Sequence, residues 1–91
     1  MSMIEKFEVI IASPPDYDDL VAEIYYGGRF VALISQERGP GLFELETPQS
    51  AFAEKDVLRK VDLDGFKNAV ETACNRLRRG RTAWSARPRD L

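Results

Sequence analysis

Glu23-Ile24-Tyr25-Tyr26-Gly27-Gly28-Arg29-Phe30-Val31-Ala32-Leu33-Ile34 decides how this chain folds. On both sides of the glycine pair, β-branched and aromatic residues follow one another without helical spacing, which reads as two strands. Adjacent glycines supply the positive φ values of a two-residue hairpin turn, so Tyr26 and Arg29 are expected as the last facing pair. Opposed residues of an antiparallel pair share a face. Counting outward from the turn predicts Ile24 opposite Val31 and Ala22 opposite Leu33, all on a core face. The other face then carries Val21, Glu23 and Tyr25 beside Phe30, Ala32 and Ile34, and is more apolar than a solvated surface usually is. Either another part of the chain covers that face or it binds something.

Further strands flank the hairpin. Ile4 to Ala12 alternates, with Phe7, Val9 and Ile11 on one face and Glu5, Lys6 and Glu8 among the other residues; Glu5 and Lys6 precede the residues described below. Ser13-Pro14-Pro15-Asp16 ends this strand, because proline removes amide donors and Ser and Asp favour local turn bonds. The next strand is expected to start near Asp18. Arg38-Gly39-Pro40-Gly41 forms a second turn, and in Leu42 to Thr47 the residues Phe43 and Leu45 point one way while Glu44 and Glu46 point the other. Pro48 to Asp56 reads as a loop. Val57 to Val61 offers a short fifth strand whose Arg59 and Lys60 would suit a sheet edge.

The closing segment is helical. Asp62 is a good cap, Asp64 adds negative charge to the first turn, and Leu63, Phe66, Ala69, Val70, Ala73 and Leu77 recur at spacings of three and four. Arg76, Arg78 and Arg79 complement the exposed carbonyls of a last turn, and Gly80 is suited to end the helix in the left-handed conformation. The spacing predicts a helix from Leu63 to Arg79. The expected fold is α+β: an antiparallel sheet of four strands, or five if the edge forms, with one C-terminal amphipathic helix packed on one face. A chain of 91 residues has room for one such domain. It is placed at residues 1–80, and 81–91 is read as a basic, flexible tail.

Charge is split along the chain. Residues 1–56 hold eleven Asp and Glu against four Lys and Arg, whereas residues 57–91 hold four against nine. Such a split steers charged partners. No run approaches the roughly 18 apolar residues of a membrane span, and Met1 to Lys6 lacks a signal peptide's basic start and apolar stretch, so the expected location is the cytoplasm with no membrane partner.

The catalytic inventory is thin. There is no histidine, which removes the commonest general base, the usual triads and most zinc sites. Cys74 stands alone on the helix and reads as a small packing residue with no histidine to activate it. The glycine pairs join strand to strand, so neither has the strand-to-helix context of a phosphate loop. The carboxylates are numerous but nothing in the sequence sets two of them in a pocket as acid and base. No catalytic, cofactor or metal residue is therefore expected. Nucleic acid is not an expected direct partner, since the net charge is −2 and Trp84 is the only aromatic near the basic run.

One constellation remains. Asp16, Asp18, Asp19, Glu23, Glu44 and Glu46 are interleaved with Tyr17 and Tyr25. The plain alternative is a solvated acidic face. The sharper one is a partner-binding surface, because tyrosine offers large contact area at little entropic cost and acids suit a basic protein groove.

In its succession of Phe7-Glu8-Val9-Ile10-Ile11, the Gly-Gly hairpin quoted above and Val61-Asp62-Leu63-Asp64-Gly65-Phe66, the chain resembles the small immunity proteins of bacterial polymorphic toxin systems, including contact-dependent growth inhibition. The resemblance covers Ile4 to about Arg79. It implies a cytoplasmic protein that binds and blocks the toxin domain of its own system, often a nuclease. A nuclease holds phosphate with cationic groups, so an acidic surface is expected to occlude it. The alternative expectation is a non-enzymatic interaction domain, or a homodimer formed through Val21, Tyr25, Phe30 and Ile34. On either expectation the purified protein shows no turnover on nuclease, esterase, phosphatase or glycosidase substrates. Activity that disappears on changing one named side chain would refute this.

Overall fold

The computed structural model describes residues 7–48 and 53–86. Four antiparallel strands lie in chain order, β1 (Phe7–Ala12), β2 (Val21–Tyr26), β3 (Arg29–Ser35) and β4 (Glu44–Glu46), followed by one helix, α1 (Leu63–Ala86). This is the α+β fold the sequence predicts. Gly27 and Gly28 have φ of 58° and 82°, so the hairpin turn is unstrained and Tyr26 pairs with Arg29 as expected.

Beyond that pair the register departs from simple counting. Tyr25 faces Phe30, but Ile24 faces Ala32, which leaves Val31 as an extra residue in β3. This bulge reverses the expected faces. Ala22 pairs with Ile34, and Leu33 lies opposite Glu23. Val31, Ala32 and Ile34 are therefore all buried on the helix side, at 7%, 1% and 2% exposure, while Leu33 moves to the other face. Unbroken alternation would have buried Val31 and Leu33 and left Ile34 outside. With the extra residue, Val31 and Ala32 both turn inward and border the same helix-side cavity.

Asp62 caps α1: its Oδ2 accepts the Gly65 N–H at 2.7 Å, and its carbonyl accepts the Phe66 N–H at 2.9 Å. Gly65 lets the helix close on β1, because a Cβ there would lie 2.7 Å from the Phe7 ring. Ala69, Ala73 and Leu77 are buried against the sheet, with Phe66, Val70 and Cys74 half-buried beside them. Leu63, expected in this stripe, is 68% exposed. At 3.6 residues per turn it stands about 80° round from Ala73, on the flank of Val70 and Cys74. The helix does not stop at Gly80 but continues to Ala86, so residues 81–86 are helical. An interior glycine costs a helix only about 1 kcal/mol, too little to end α1 at Gly80, and residues 87–91 of the expected tail lie outside the described residues.

At the outer edge of β3, Val57 makes a single parallel bridge to Phe30, and the Leu58 N–H donates to the Phe30 carbonyl at 2.9 Å. The expected fifth strand is reduced to this bridge, preceded by one 3-10 turn, Glu54–Asp56. The β1–β2 loop folds over one end of the sheet. Gln36 Nε2 donates to the Leu20 carbonyl at 3.2 Å, and the Glu37 carboxylate accepts the backbone N–H groups of Asp18 and Asp19 at 3.0 and 3.1 Å. Val21 and Ser35, which alternation points away from the helix, are fully buried at this end.

The register makes a direct prediction. Ile34→Ala and Ile24→Ala should each cost about 2 to 5 kcal/mol in denaturant unfolding, as expected for core cavities. Leu33→Ala should cost less than half as much. The opposite ranking of Ile34 and Leu33 would restore the unbulged pairing.

Candidate functional site

The sheet face turned away from α1 gathers the acidic and aromatic side chains. Pairing places Ile10, Glu23, Leu33 and Glu46 in one row across all four strands, with Glu8, Tyr25 and Phe30 in the row beside it. Glu44 lies on the same face, opposite Ser35. Among the described residues, none of the strand residues that alternate onto this face is basic. Two of the expected partner residues, Val21 and Ile34, are not available there: the first is buried under the loop end of the sheet and the second lies in the helix-side core. Tyr25 and Phe30 remain, half-buried, with their rings 5.7 Å apart at 61°.

Two tyrosine–carboxylate bonds organise the face. Tyr17 Oη donates to Glu46 Oε1 at 2.7 Å, tying the β1–β2 loop to the outer strand, and Tyr25 Oη donates to Glu23 Oε1 at 3.1 Å. The Tyr17 phenol is pushed up to about 12, chiefly by its bond to Glu46, then by burial and by the negative charge of Glu46, Asp16 and Glu37. Tyr25 is raised by burial first, then by Glu23 and Glu8. Carboxylates from β4 and two loops therefore act on the Tyr17 hydroxyl, and carboxylates from β1 and β2 on that of Tyr25.

The loop aspartates stand at the rim. Tyr17 N–H donates to the Pro14 carbonyl at 3.2 Å, closing a turn that leaves Asp16 exposed at its tip. Asp18 is exposed, and Asp19 accepts the Leu20 N–H at 3.0 Å. Glu44 lies 3.9 Å from Arg38, so its charge is shared. The structure thus joins Tyr17 with Glu46 and Tyr25 with Glu23 directly, and sets Asp16, Asp18, Asp19 and Glu44 at one end of the same face.

Sequence reasoning missed Glu8, Ile10, Glu37 and Asp56. Alternation in β1 carried the signal for Glu8 and Ile10; Glu37 and Asp56 lie outside any strand pattern. Asp56 arrives through the 3-10 turn, which Arg29 braces by donating to the Lys55 and Glu54 carbonyls at 3.2 and 3.3 Å. It closes a pocket of about 430 Å³ with Glu23, Tyr25, Gly28, Phe30 and Leu33.

On the opposite side, α1 packs chiefly on β1 and β2 and lightly on β3. An apolar groove of about 550 Å³ runs along the remainder, lined by Ile34, Phe43, Leu45, Leu63, Val70 and Cys74 among others. Burial pushes the Cys74 thiol up, against a smaller opposing pull from Arg78, so it stays protonated and serves packing. Two arginines of α1 are held on this side. Arg76 donates to the Val9 carbonyl at 2.8 Å, and Arg78 sits 5.1 Å from the centre of the Phe43 ring.

The raised phenol gives a pH dependence. A group whose pKa is higher in the folded protein adds stability below its unfolded value and loses it as pH rises through the folded one. The Tyr17 contribution is therefore complete below about 10 and lost towards about 12. Phenolate absorbance of wild type should show one tyrosine ionising last, Tyr17→Phe should remove that step, and the variant's stability should fall less over this window. A wild-type curve superimposable on the variant's in the last step would refute the Tyr17–Glu46 bond.

No protein-family model, curated protein or solved structure matches this chain. Function is therefore read from the chemistry of the acidic face.

Proposed function

We propose that the protein is a non-enzymatic inhibitor that binds a basic protein surface through its helix-free sheet face, acting as the immunity partner of a bacterial toxin domain, a nuclease in first place. The observation that carries this reading is the convergence of Glu8, Glu23, Glu44 and Glu46 with Tyr17 and Tyr25 on one face, with no cation from the strands among the described residues. A phosphate-binding cleft is cationic, so this surface can occupy it in place of nucleic acid. Like charges held close on a folded face repel one another, and a basic partner relieves that repulsion on binding. The tyrosines supply contact area that does not depend on charge.

Occlusion needs no chemistry from the inhibitor. The groups on this face are carboxylates and phenols, and both phenols are held in the protonated form at neutral pH. They can accept and donate hydrogen bonds to arginine, lysine and backbone groups of a partner.

The test uses whichever toxin domain a neighbouring reading frame encodes. Association should slow as salt rises, because attraction between exposed charges is screened within about 8 Å at physiological ionic strength. The double reversal Asp18→Lys with Glu44→Lys, both exposed positions, should slow association at low salt and leave unfolding unchanged. A rate indifferent to salt and to reversal would remove the acidic face from the interface. Absence of binding to that domain would remove the immunity reading.

A further inference from the structure

The 430 Å³ pocket on the acidic face has a chemistry of its own. Its size falls within the range of about 300 to 1,000 Å³ typical of sites that take small groups. Two aromatic rings, Tyr25 and Phe30, form one wall in an edge-to-face pair, and Leu33 supplies an apolar patch between the strands. Glu23 and Asp56 bring carboxylates to the rim from two different elements, β2 and the 3-10 turn. Glu23 is oriented by the Tyr25 hydroxyl, and Asp56 by the turn that Arg29 and the Phe30–Val57 bridge hold against β3. Gly28 leaves the mouth open, since even an added Cβ would meet nothing within 4 Å.

An aromatic and aliphatic wall with carboxylates at its rim suits a cation that is weakly hydrated and flat. We infer that this pocket seats an arginine side chain of the partner protein, its guanidinium against the Tyr25 and Phe30 rings and its N–H groups directed to Glu23 and Asp56. This deepens the reading above and rests on it for the identity of the partner. Arginine fits better than lysine because the guanidinium stacks on rings, carries a fixed fork of donors and loses less hydration than an ammonium. An uncharged apolar side chain would offer the two carboxylates beside it no counter-charge.

The pocket can be tested without a toxin. N-acetyl-arginine amide, titrated into isotopically labelled full-length protein, should shift resonances of Tyr25, Gly28, Phe30, Leu33 and Asp56 along one saturable curve. The citrulline analogue, isosteric and neutral, should leave them in place at the same concentrations. Phe30→Leu should weaken the arginine derivative about fivefold through loss of one ring. Asp56→Asn, at an exposed position whose change spares the core, should weaken it roughly two- to fivefold. Equal shifts with citrulline would overturn the assignment, as would shifts centred on Asp16, Asp18 and Asp19, or wild-type affinity in Asp56→Asn. A toxin domain that binds with salt-dependent rates yet ignores both variants would overturn the pocket while leaving the proposed function standing. A pocket that takes the arginine derivative in a protein that binds no toxin would support the site and remove the toxin.

Discussion

The extra residue in β3, Val31, is the constraint from which the rest of the molecule follows. A strand has only two faces, and one inserted residue exchanges them for everything beyond it. Before the bulge, the Gly27-Gly28 turn sets Tyr25 opposite Phe30; after it, Ala32 and Ile34 turn under α1 and Leu33 joins Glu23 and Glu46 on the open face. A core of Ala22, Ile24, Val31, Ala32 and Ile34 is thereby assembled on the side where Ala69, Ala73 and Leu77 can reach it. Small residues at Ala22, Ala32, Ala69 and Ala73 let helix and sheet approach closely, and Gly65 extends that approach to Phe7.

A single helix about 10 Å wide does not span four strands spaced about 4.8 Å apart. Here α1 sits over β1 and β2, and the surface beneath β3 and β4 on that side stays an apolar groove. The opposite face has no helix. It is partly closed at one end by the β1–β2 loop, where Val21 and Ser35 are buried and the Ser35 hydroxyl has no hydrogen-bond partner among the described residues. What remains open is a strip of glutamates and aromatic rings.

That strip gathers negative charge, and neighbouring groups engage it locally. The Tyr17 and Tyr25 hydroxyls donate hydrogen bonds to Glu46 and Glu23, Glu37 accepts from two loop amides, and Arg38 stands near Glu44. These contacts are short-range and leave the net negative field intact beyond a few ångströms. A field of that kind accelerates encounter with a basic partner, whereas the rings and Leu33 act only at contact.

Local signals in the sequence were sufficient for the α+β class, the glycine turn with its Tyr26–Arg29 pair, the inward faces of Phe7, Val9 and Ile11, and the Asp62 cap. Each depends on neighbours within a few residues, where periodicity and backbone preference dominate. The association of Glu23 with Tyr25 and of Glu44 with Glu46 was legible for the same reason. Only the tertiary structure decided the bulge at Val31, the passage of α1 through Gly80, the reach of Tyr17 to Glu46 and the delivery of Asp56 beside Tyr25 and Phe30. These follow from burial summed over segments distant in the chain: three apolar residues under one helix outweigh an unbroken ladder, and a loop or turn is placed by what it covers, which no short stretch of sequence encodes.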